Sequence, residues 1–385
     1  MKPMSQKTGR FNESLIRRMT RISNECGAIN LSQGFPDFDP PKFLMDRLAE
    51  VAYQGPHQYP ITWGAPNFRE AVARKQGHFM GRSLDPNENI LITIGSTEAM
   101  IDSLIALCDP GDKIGVFSPY FENYIAEIIM AQAEPVYIPL KPPAFDFDPE
   151  ELEDAFRQGI KGLILCNPSN PSGKVFTWDE LKIIADLAIK YDAYVITDEV
   201  YEHIIYAPNK HVYMNSLPGM WERTISCSSL SKTYHITGWR LGYVIAPKEI
   251  LDKIKQVHDF MTVGAPSPLM EACLVGLNQP LSYYDELGAL YEHMKSVFVG
   301  GLKDLGFTYT DPQGAYYVMV DVGEFAKDGD IAFCEWMARK VGVAAVPACT
   351  FFKEDIHNWA RFHFAKRDET LYEALNRLES LRSKL

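Results

Sequence analysis

The sequence lacks a long hydrophobic run and an excess of positive charge. No stretch reaches about eighteen consecutive apolar residues, which a membrane-spanning helix requires, and the opening Met-Lys-Pro-Met-Ser-Gln-Lys has no apolar segment typical of a secretory signal. The 38 lysines and arginines are outnumbered by 50 aspartates and glutamates, so the formal net charge is −12. This balance argues against nucleic acid or an anionic membrane surface as the main partner. We therefore expect a cytoplasmic protein.

The sequence also lacks a cysteine pairing pattern, an internal repeat and a low-complexity segment. Its 7 cysteines are an odd number, are scattered, and form no Cys-x-x-Cys pair. This argues against both a disulfide framework and a zinc site, so we expect no metal. The 9 histidines show no metal-ligand spacing either, and His235 is expected to pack in the core. A chain of 385 residues is long enough for a substantial core and for two or three domains.

Short apolar runs that alternate with helical patterns dominate the middle of the chain. Such alternation predicts a mainly parallel sheet with helices on both faces and a ligand site at the carboxyl ends of its strands. The predicted strands of this sheet are 89–94, 113–118, 135–139, 162–166, 193–197 and 224–227. Further strands are predicted at 314–321 and 343–346, and helices outside this region at about 10–25, 42–54, 66–82, 248–261, 267–279, 281–305, 329–341 and 368–384.

Lys232 lies in the segment around which the rest of the chain is organised. The small hydroxylated residues Ser229 and Ser231 precede it, and Arg240 follows within Gly-Trp-Arg-Leu-Gly. A positioned, partly desolvated lysine has a lowered pKa and can form a Schiff base with a carbonyl, while an arginine fork suits a phosphate. The spacing fits pyridoxal phosphate. The alternative is a polar turn with an arginine at a helix end.

Other predicted strand ends carry residues that suit the same ligand. Gly95 permits a tight turn after the first strand, and the amides of Ser96 and Thr97 then form an anion site at a helix start, or a simple N-cap. Asp198 ends an apolar strand, where it is either a ligand-pairing acid or a cap. Arg361 interrupts the apolar run 360–365, and a buried arginine requires either an anionic ligand or an internal salt bridge.

The motif around Lys232 resembles the lysine signature of the class I aminotransferases. These are pyridoxal-phosphate enzymes of the aspartate aminotransferase fold, also called fold type I. Asn-Pro-Ser-Asn-Pro-Ser-Gly at 167–173 is similar to the family's Asn-Pro-x-Asn-Pro-Thr-Gly, and the resemblance extends from about Asn30 to about Leu378. The stretch 29–40, with Gln-Gly-Phe-Pro-Asp-Phe-Asp, looks like the kynurenine, glutamine and methionine aminotransferase branch.

The resemblance implies an α/β fold with a large cofactor-binding domain and a smaller α+β domain. The expected division is an N-terminal arm with a substrate-mouth segment at 1–40, a large domain at 41–280 and a small domain at 281–385. Ala348 and Cys349 depart from the family pattern, since Gly and Ser are usual there. We expect the chemistry to be intact and a nearby loop to be changed.

The resemblance also assigns roles around the cofactor ring and phosphate. Phe121 stacks on the ring, Asp198 pairs with its protonated nitrogen, and Asn170 and Tyr201 hydrogen-bond to its phenolic oxygen. Lys232 is the catalytic lysine. The residues that anchor the phosphate are Ser96, Thr97, Ser229, Ser231 and Arg240.

Three further residues are assigned to the substrate and the dimer. Gly34 and Arg361, with Asn170, hold the substrate carboxylate, and Tyr59 reaches the cofactor phosphate of the neighbouring subunit in a homodimer. The implied reaction is a ping-pong transamination of the EC 2.6.1 type through a Lys232 aldimine, between an L-amino acid and a 2-oxo acid. We favour aromatic, methionine or other uncharged donors, because no arginine for a distal carboxylate is evident.

Two enzymatic alternatives stay open at this point. A carbon–sulfur β-lyase shares the fold and the lysine, and an aspartate aminotransferase needs only an arginine that turns in from elsewhere. A regulatory protein with an aminotransferase-like domain is disfavoured, because such a protein needs a basic DNA-binding module and this chain is acidic.

Overall fold

The computed structural model describes residues 1–11 and 13–384. Its strands are β1 Ile29–Asn30, β2 Ile90–Thr93, β3 Lys113–Ser118, β4 Glu134–Pro139, β5 Ile160–Cys166, β6 Tyr194–Asp198, β7 Thr224–Ser229, β8 Gly242–Ile245, β9 Thr308–Tyr309, β10 Tyr317–Asp321, β11 Val343–Ala344, β12 Val346–Pro347 and β13 Trp359–His363.

The α-helices are α1 Leu15–Cys26, α2 Lys42–Gln54, α3 Pro66–Met80, α4 Gly95–Leu107, α5 Asn123–Met130, α6 Pro149–Arg157, α7 Trp178–Lys190, α8 Lys248–Met261, α9 Ser267–Leu277, α10 Ser282–Asp304, α11 Asp330–Trp336, α12 Asp368–Glu379 and α13 Leu381–Lys384. Short 3₁₀ turns occur at Gln6–Arg10, Met214–Ser216, Trp221–Arg223 and Ala348–Phe351, and a π-helical turn at Met337–Val341 continues α11.

A seven-stranded sheet in the order β2-β8-β7-β6-β5-β3-β4 forms the larger layer. All of its strands run parallel except β8, which pairs antiparallel with β2 and β7. Successive side chains of a strand point to opposite faces. Thus Leu163 and Leu165 of β5 pack with α6 and α7, whereas Ile164 packs with α4 and α5 on the other face. The predicted mainly parallel sheet, covered on both faces, is confirmed.

A second, antiparallel sheet in the order β12-β13-β10-β9 forms the smaller layer. The helix α10 leads into it and, at 23 residues, is about 34 Å long. Tyr291 and Phe298 of α10 share a buried apolar cluster with Phe362 of β13 and Leu371 of α12. This α+β arrangement confirms the predicted fold class. The domain limits stay a prediction, and two residues within them, Asn12 and Leu385, lie outside the described residues.

The N-terminal segment packs with the C-terminal part of the chain. Its helix begins at Leu15 because the Ser14 side chain accepts a hydrogen bond from the Arg17 N–H, and it ends where Gly27 adopts a left-handed conformation with φ of 65°. The strand β1 then pairs in parallel with β11. This pairing brings the following residues, including Gly34, to the carboxyl ends of the large sheet.

Several local elements differ from the predicted ones, among them the short strands β1 and β9, which were not predicted. The predicted strand at 343–346 is two short strands, β11 and β12, with different partners. The predicted helix at 368–384 is interrupted at Ser380, and β8 was not predicted because it is short and directly follows the lysine segment. Within residues 1–11 and 13–384, no helix has the length and apolar character needed to cross a membrane.

Candidate active site

A cavity of about 330 Å³ opens at the carboxyl ends of β2, β5, β6 and β7, the edge at which the sheet order predicted a ligand site. Every predicted site residue except Tyr59 lines it. These residues are Gly34, Ser96, Thr97, Phe121, Asn170, Asp198, Tyr201, Ser229, Ser231, Lys232, Arg240 and Arg361. Tyr59 instead lies on the surface of this chain, 86% exposed.

Lys232 follows β7 and extends its side chain into the cavity. Its Nζ donates a hydrogen bond to the Gly34 carbonyl at 3.1 Å, and lies 5.7 and 5.5 Å from the ring centres of Tyr201 and Tyr316. Burial, together with the positive charges of Arg240 and Arg361, lowers the pKa of Lys232 to about 8. About a tenth of this amine is therefore unprotonated at pH 7, far more than for an ordinary lysine, which favours its role as a nucleophile.

The lowered pKa predicts how fast the apoprotein captures pyridoxal phosphate at different pH values. The capture rate should rise as the Lys232 ammonium loses its proton, and level off above about pH 8. An ordinary lysine has a pKa of about 10.4 and would give a rate that still rises at pH 9. Rapid-mixing absorbance between pH 6 and 10 measures this, with N-acetyl-lysine as the reference amine to correct for titration of the aldehyde itself. A plateau at the same pH for both amines would contradict the lowered pKa.

Four hydroxyl groups and a guanidinium line one part of the cavity. Ser96 and Thr97 stand at the start of α4, where free helix N–H groups attract anions. The Ser229 Oγ accepts the Ser231 N–H at 3.0 Å, and the buried Ser231 Oγ has no hydrogen-bond partner among the described residues. This donor set, with an unused hydroxyl, fits a phosphate.

Arg240 completes this part of the cavity. It adopts a left-handed backbone conformation with φ of 57°, a strained state typical of functional sites, and its Nη1 donates to the Thr237 carbonyl at 3.0 Å. Its guanidinium lies against Gly95, where a Cβ would collide with Nη2. Gly95 is therefore required both for the turn from β2 into α4 and for the close approach of Arg240.

Asp198 also lines the cavity and is a buried carboxylate in a largely neutral setting. The Tyr124 hydroxyl donates to its Oδ2 at 2.7 Å, and the Val200 N–H donates to its Oδ1 at 3.3 Å. Burial nevertheless raises the pKa of Asp198, because these hydrogen bonds only partly offset desolvation. A cationic partner, such as a protonated ring nitrogen, would restore the ionised form. Phe121 lies beside Tyr124, with ring centres 5.7 Å apart.

Arg361 lies on β13 and is 1% exposed. Its Nη1 donates to the Asn170 Oδ1 at 2.6 Å and its Nη2 to the Ser32 carbonyl at 2.8 Å, while its buried Nε has no hydrogen-bond partner among the described residues. Within residues 1–11 and 13–384, no carboxylate forms a salt bridge with it, so the internal salt bridge considered above is absent from this part of the chain. A buried cation without a counterion is costly, so this guanidinium fits an anionic ligand.

Tyr317 contacts both Tyr201, near the lysine, and Arg361. The sequence analysis did not identify it as a site residue. Its hydroxyl is 2.9 Å from the Tyr201 hydroxyl, and its ring centre is 4.2 Å from the Arg361 guanidinium carbon. Burial raises the pKa of both phenols, so both are neutral. When Tyr201 donates to a ligand, Tyr317 must therefore donate to Tyr201. The sequence likewise assigns no role to Tyr124, whose hydroxyl donates to Asp198.

This arrangement predicts separate effects for the hydroxyl and the ring of Tyr317. Tyr317→Phe should lower kcat by up to about tenfold, the value of one hydrogen bond, and move the absorbance titration of the bound cofactor to higher pH, because Tyr201 becomes a weaker donor. KM should change little, since the ring still covers Arg361. The contrasting variant Tyr317→Leu should also raise KM. Equal kinetics and equal spectral titrations for wild type and Tyr317→Phe would refute this role.

The cavity combines a partly buried lysine of lowered pKa, a group of donors that suit a phosphate, and a buried acid. This combination is typical of a pyridoxal-phosphate enzyme. The family model for aminotransferase class I and II matches residues 27–378. The chain is 34% identical to kynurenine–oxoglutarate transaminase 3 of Mus musculus, over 91% of this chain and 84% of the relative. It is 32% identical to methionine aminotransferase of Escherichia coli, over 97% of both. The chain belongs to the class I and II aminotransferases.

A solved structure of the same family agrees with the fold. The N-succinyldiaminopimelate aminotransferase of Mycobacterium tuberculosis superposes with a TM-score of 0.95 at 31% identity, covering 98% of this chain and 100% of that one. The protein is therefore a pyridoxal-phosphate-dependent aminotransferase that acts on an amino acid and a 2-oxo acid. The named relatives have different substrates, so the family alone leaves the donor undetermined.

Proposed function

We propose that this aminotransferase uses L-amino acids with aromatic, methionine or other uncharged side chains as donors, and 2-oxoglutarate or another 2-oxo acid as acceptor. This proposal rests mainly on the apolar and aromatic residues Ile16, Phe35 and Tyr317, which line the same cavity as Arg361. Apolar and aromatic surfaces of this kind favour apolar side chains. The names of the kynurenine and methionine relatives support the same donor class.

Two charged residues at the cavity mouth modulate this preference. Glu122 lines the cavity and is held by the Ser14 hydroxyl. Its carboxylate would repel a donor with a distal carboxylate. Arg17 also lines the cavity, and its guanidinium would attract one. Because Arg17 could bind a distal carboxylate, aspartate stays a second candidate donor. The same guanidinium would suit the distal carboxylate of the acceptor 2-oxoglutarate.

The proposed chemistry assigns one role to each cluster. Bound pyridoxal phosphate supplies the electron sink that stabilises negative charge at the substrate Cα. Arg361 binds the substrate carboxylate and fixes the direction of the Cα–H bond. The Lys232 Nζ would accept the proton from the substrate Cα and hold it for return to the product. Asp198 would hold a protonated ring nitrogen, and Tyr201 and Asn170 would donate hydrogen bonds to a phenolic oxygen.

A panel of single amino acids, added without an acceptor, tests the substrate proposal. We expect methionine, phenylalanine, kynurenine or glutamine to convert the visible cofactor absorbance to that of the aminated cofactor, and an added 2-oxo acid to restore it. Conversion by aspartate alone would favour the second candidate. Ammonia and pyruvate released from cystathionine, with the absorbance unchanged, would instead indicate the β-lyase reaction.

We propose that the protein is a homodimer in which Tyr59 serves the neighbouring subunit. Exposed apolar side chains cluster where the Tyr59 loop meets the end of α8. The Tyr59 loop is joined to the start of α9 by the Ser267 Oγ, which donates to the Gln58 carbonyl at 2.7 Å, and Tyr59 shares a surface groove with Pro268 of α9. Phe260, in the same region, is 91% exposed. Patches of this kind favour association.

We also propose a cytoplasmic location, which the free state of every cysteine supports.

Subunit mixing tests the role of Tyr59. Lys232→Ala and Tyr59→Ala chains, each with low activity, are unfolded together, refolded and reconstituted. A hybrid dimer in which Tyr59 acts across the interface has one site with both native residues, so random pairing of dimers should recover about one quarter of wild-type activity. If Tyr59 acts within its own chain, or not at all, mixing gives no gain. Light scattering of the wild-type protein separately measures the dimer.

A further inference from the structure

Three metal-ligating side chains meet outside the cavity, on the side of the smaller sheet. Asp330 is the first residue of α11, Cys349 lies in the 3₁₀ turn Ala348–Phe351, and His357 lies in the loop before β13. One ligand atom from each residue lies within 4.8 Å of the other two. No two of the three are near in sequence, so no spacing motif reveals them. Cys349 is also one of the two residues that depart from the family pattern.

The distance between the histidine and carboxylate ligand atoms of the cluster is close to that of a tetrahedral zinc site, and the sulfur lies within 4.8 Å of both. The His357 Nδ1 is 3.5 Å from the Asp330 Oδ1. Zinc with bonds of about 2.0 Å to nitrogen and oxygen separates two such ligand atoms by about 3.3 Å, and its longer bond to a thiolate places sulfur about 3.5 Å from either. Small side-chain adjustments would therefore bring the three atoms into the first coordination sphere.

Asp330 provides a buried carboxylate oxygen that forms no hydrogen bond within the described residues. The residue is 0% exposed, and its Oδ2 accepts the Cys349 N–H at 2.8 Å. Its Oδ1, which faces His357, has no hydrogen-bond partner among the described residues. A buried carboxylate oxygen is normally paired, and the His357 Nδ1 makes only a long 3.5 Å ionic contact with this one, so the oxygen is free to form a shorter bond to a cation at the cluster.

His357 is oriented as a metal-binding histidine often is. Its Nε2 is 2.8 Å from the Asp355 Oδ1, so a proton on Nε2 leaves Nδ1 with a free lone pair toward the cluster. This carboxylate–histidine arrangement commonly supports a metal-bound imidazole. The His357 side chain is 53% exposed, which gives an ion a route from solvent.

We propose that Asp330, Cys349 and His357 bind one Zn²⁺ ion, with solvent as the fourth ligand. The mixed sulfur, nitrogen and oxygen set excludes Mg²⁺ and Ca²⁺, which require oxygen ligands. The 3₁₀ turn that carries Cys349 also carries Phe351, whose ring centre is 4.7 Å from the Arg361 guanidinium carbon. The ion would therefore fix one wall of the substrate region without touching the cofactor.

Titration of the holoenzyme with Co²⁺ tests the proposal, since cobalt replaces zinc and reports a bound thiolate by a charge-transfer absorbance. We expect one equivalent to give this absorbance in difference spectra, and Zn²⁺ to abolish it. Cys349→Ser should remove the absorbance, and His357→Gln should weaken Zn²⁺ binding at least tenfold in equilibrium dialysis. Zn²⁺ should raise the Tm of the wild type and leave that of His357→Gln unchanged.

Matched controls come from residues of similar exposure elsewhere. Cys108 is a half-buried free cysteine, as Cys349 is, and His293 is a half-exposed histidine paired with Asp368, so Cys108→Ser and His293→Gln should bind the metal like the wild type. Circular dichroism verifies that each variant folds. No thiolate absorbance in the wild type, or an absorbance that persists in folded Cys349→Ser, would overturn the proposal.

Discussion

Replacement of Lys232 by alanine is expected to reduce kcat by about 10⁴-fold or more. The variant loses the group that captures the cofactor and the base that moves the substrate proton, and proton transfer alone contributes about 10²- to 10⁴-fold. Steady-state kinetics with the best donor of the panel measures the loss. Borohydride reduction followed by peptide mapping should attach the cofactor to residue 232 of the wild type and to no peptide of the variant.

Two further measurements separate a chemical role of Lys232 from a structural one. Lys232→Arg keeps a cation in the cavity but has no amine of suitable pKa, so it should be as inactive as the alanine variant. A small primary amine should partly restore activity to Lys232→Ala, whose shortened side chain leaves space in the cavity, and not to Lys232→Arg. Near-normal turnover of Lys232→Ala would contradict the assignment.

The sequence predicts the cofactor side of the site because its residues lie at the ends of neighbouring parallel strands. Asp198 is the last residue of its strand, and Ser96, Asn170 and Lys232 each follow another strand; the carboxyl ends of parallel strands meet at one edge of a sheet. The local pattern of each strand therefore suffices to bring these residues together. Their individual roles still rest on the family resemblance and on the proposals above.

The substrate side could not be predicted in the same way, because its contacts join distant segments from different sheets. Asn170 and Arg361 are separated by 191 positions, and Ser32 and Arg361 by 329. The hydrogen bond between the Tyr201 and Tyr317 hydroxyls likewise depends on the position of the two sheets relative to each other. No periodicity or turn signal encodes such contacts. The Asp330, Cys349 and His357 cluster was not predicted for a different reason: its residues are separated by 19 and 8 positions and form no metal-binding spacing motif.

Arg361 is the residue whose replacement should have the second-largest effect. Arg361→Leu is expected to lower kcat/KM for amino acids by about 10²- to 10³-fold, mainly through KM. The substrate carboxylate then loses its counterion, and removal of one partner from a buried ion pair costs about 3–5 kcal/mol. Arg361→Lys keeps the charge but not the two-pronged donor geometry, so its loss should be intermediate. Steady-state kinetics over a range of donor concentrations measures both.

A substrate that lacks the carboxylate distinguishes recognition from a general disturbance of the site. Phenylalanine and 2-phenylethylamine differ only in that group, so the wild type should strongly prefer phenylalanine, and Arg361→Leu should lose most of this preference. Arg361 also holds Asn170 and Ser32, and a purely structural role would lower the activity on both compounds by the same factor. A preference unchanged in the variant would therefore assign the buried guanidinium to packing and exclude it as the carboxylate site.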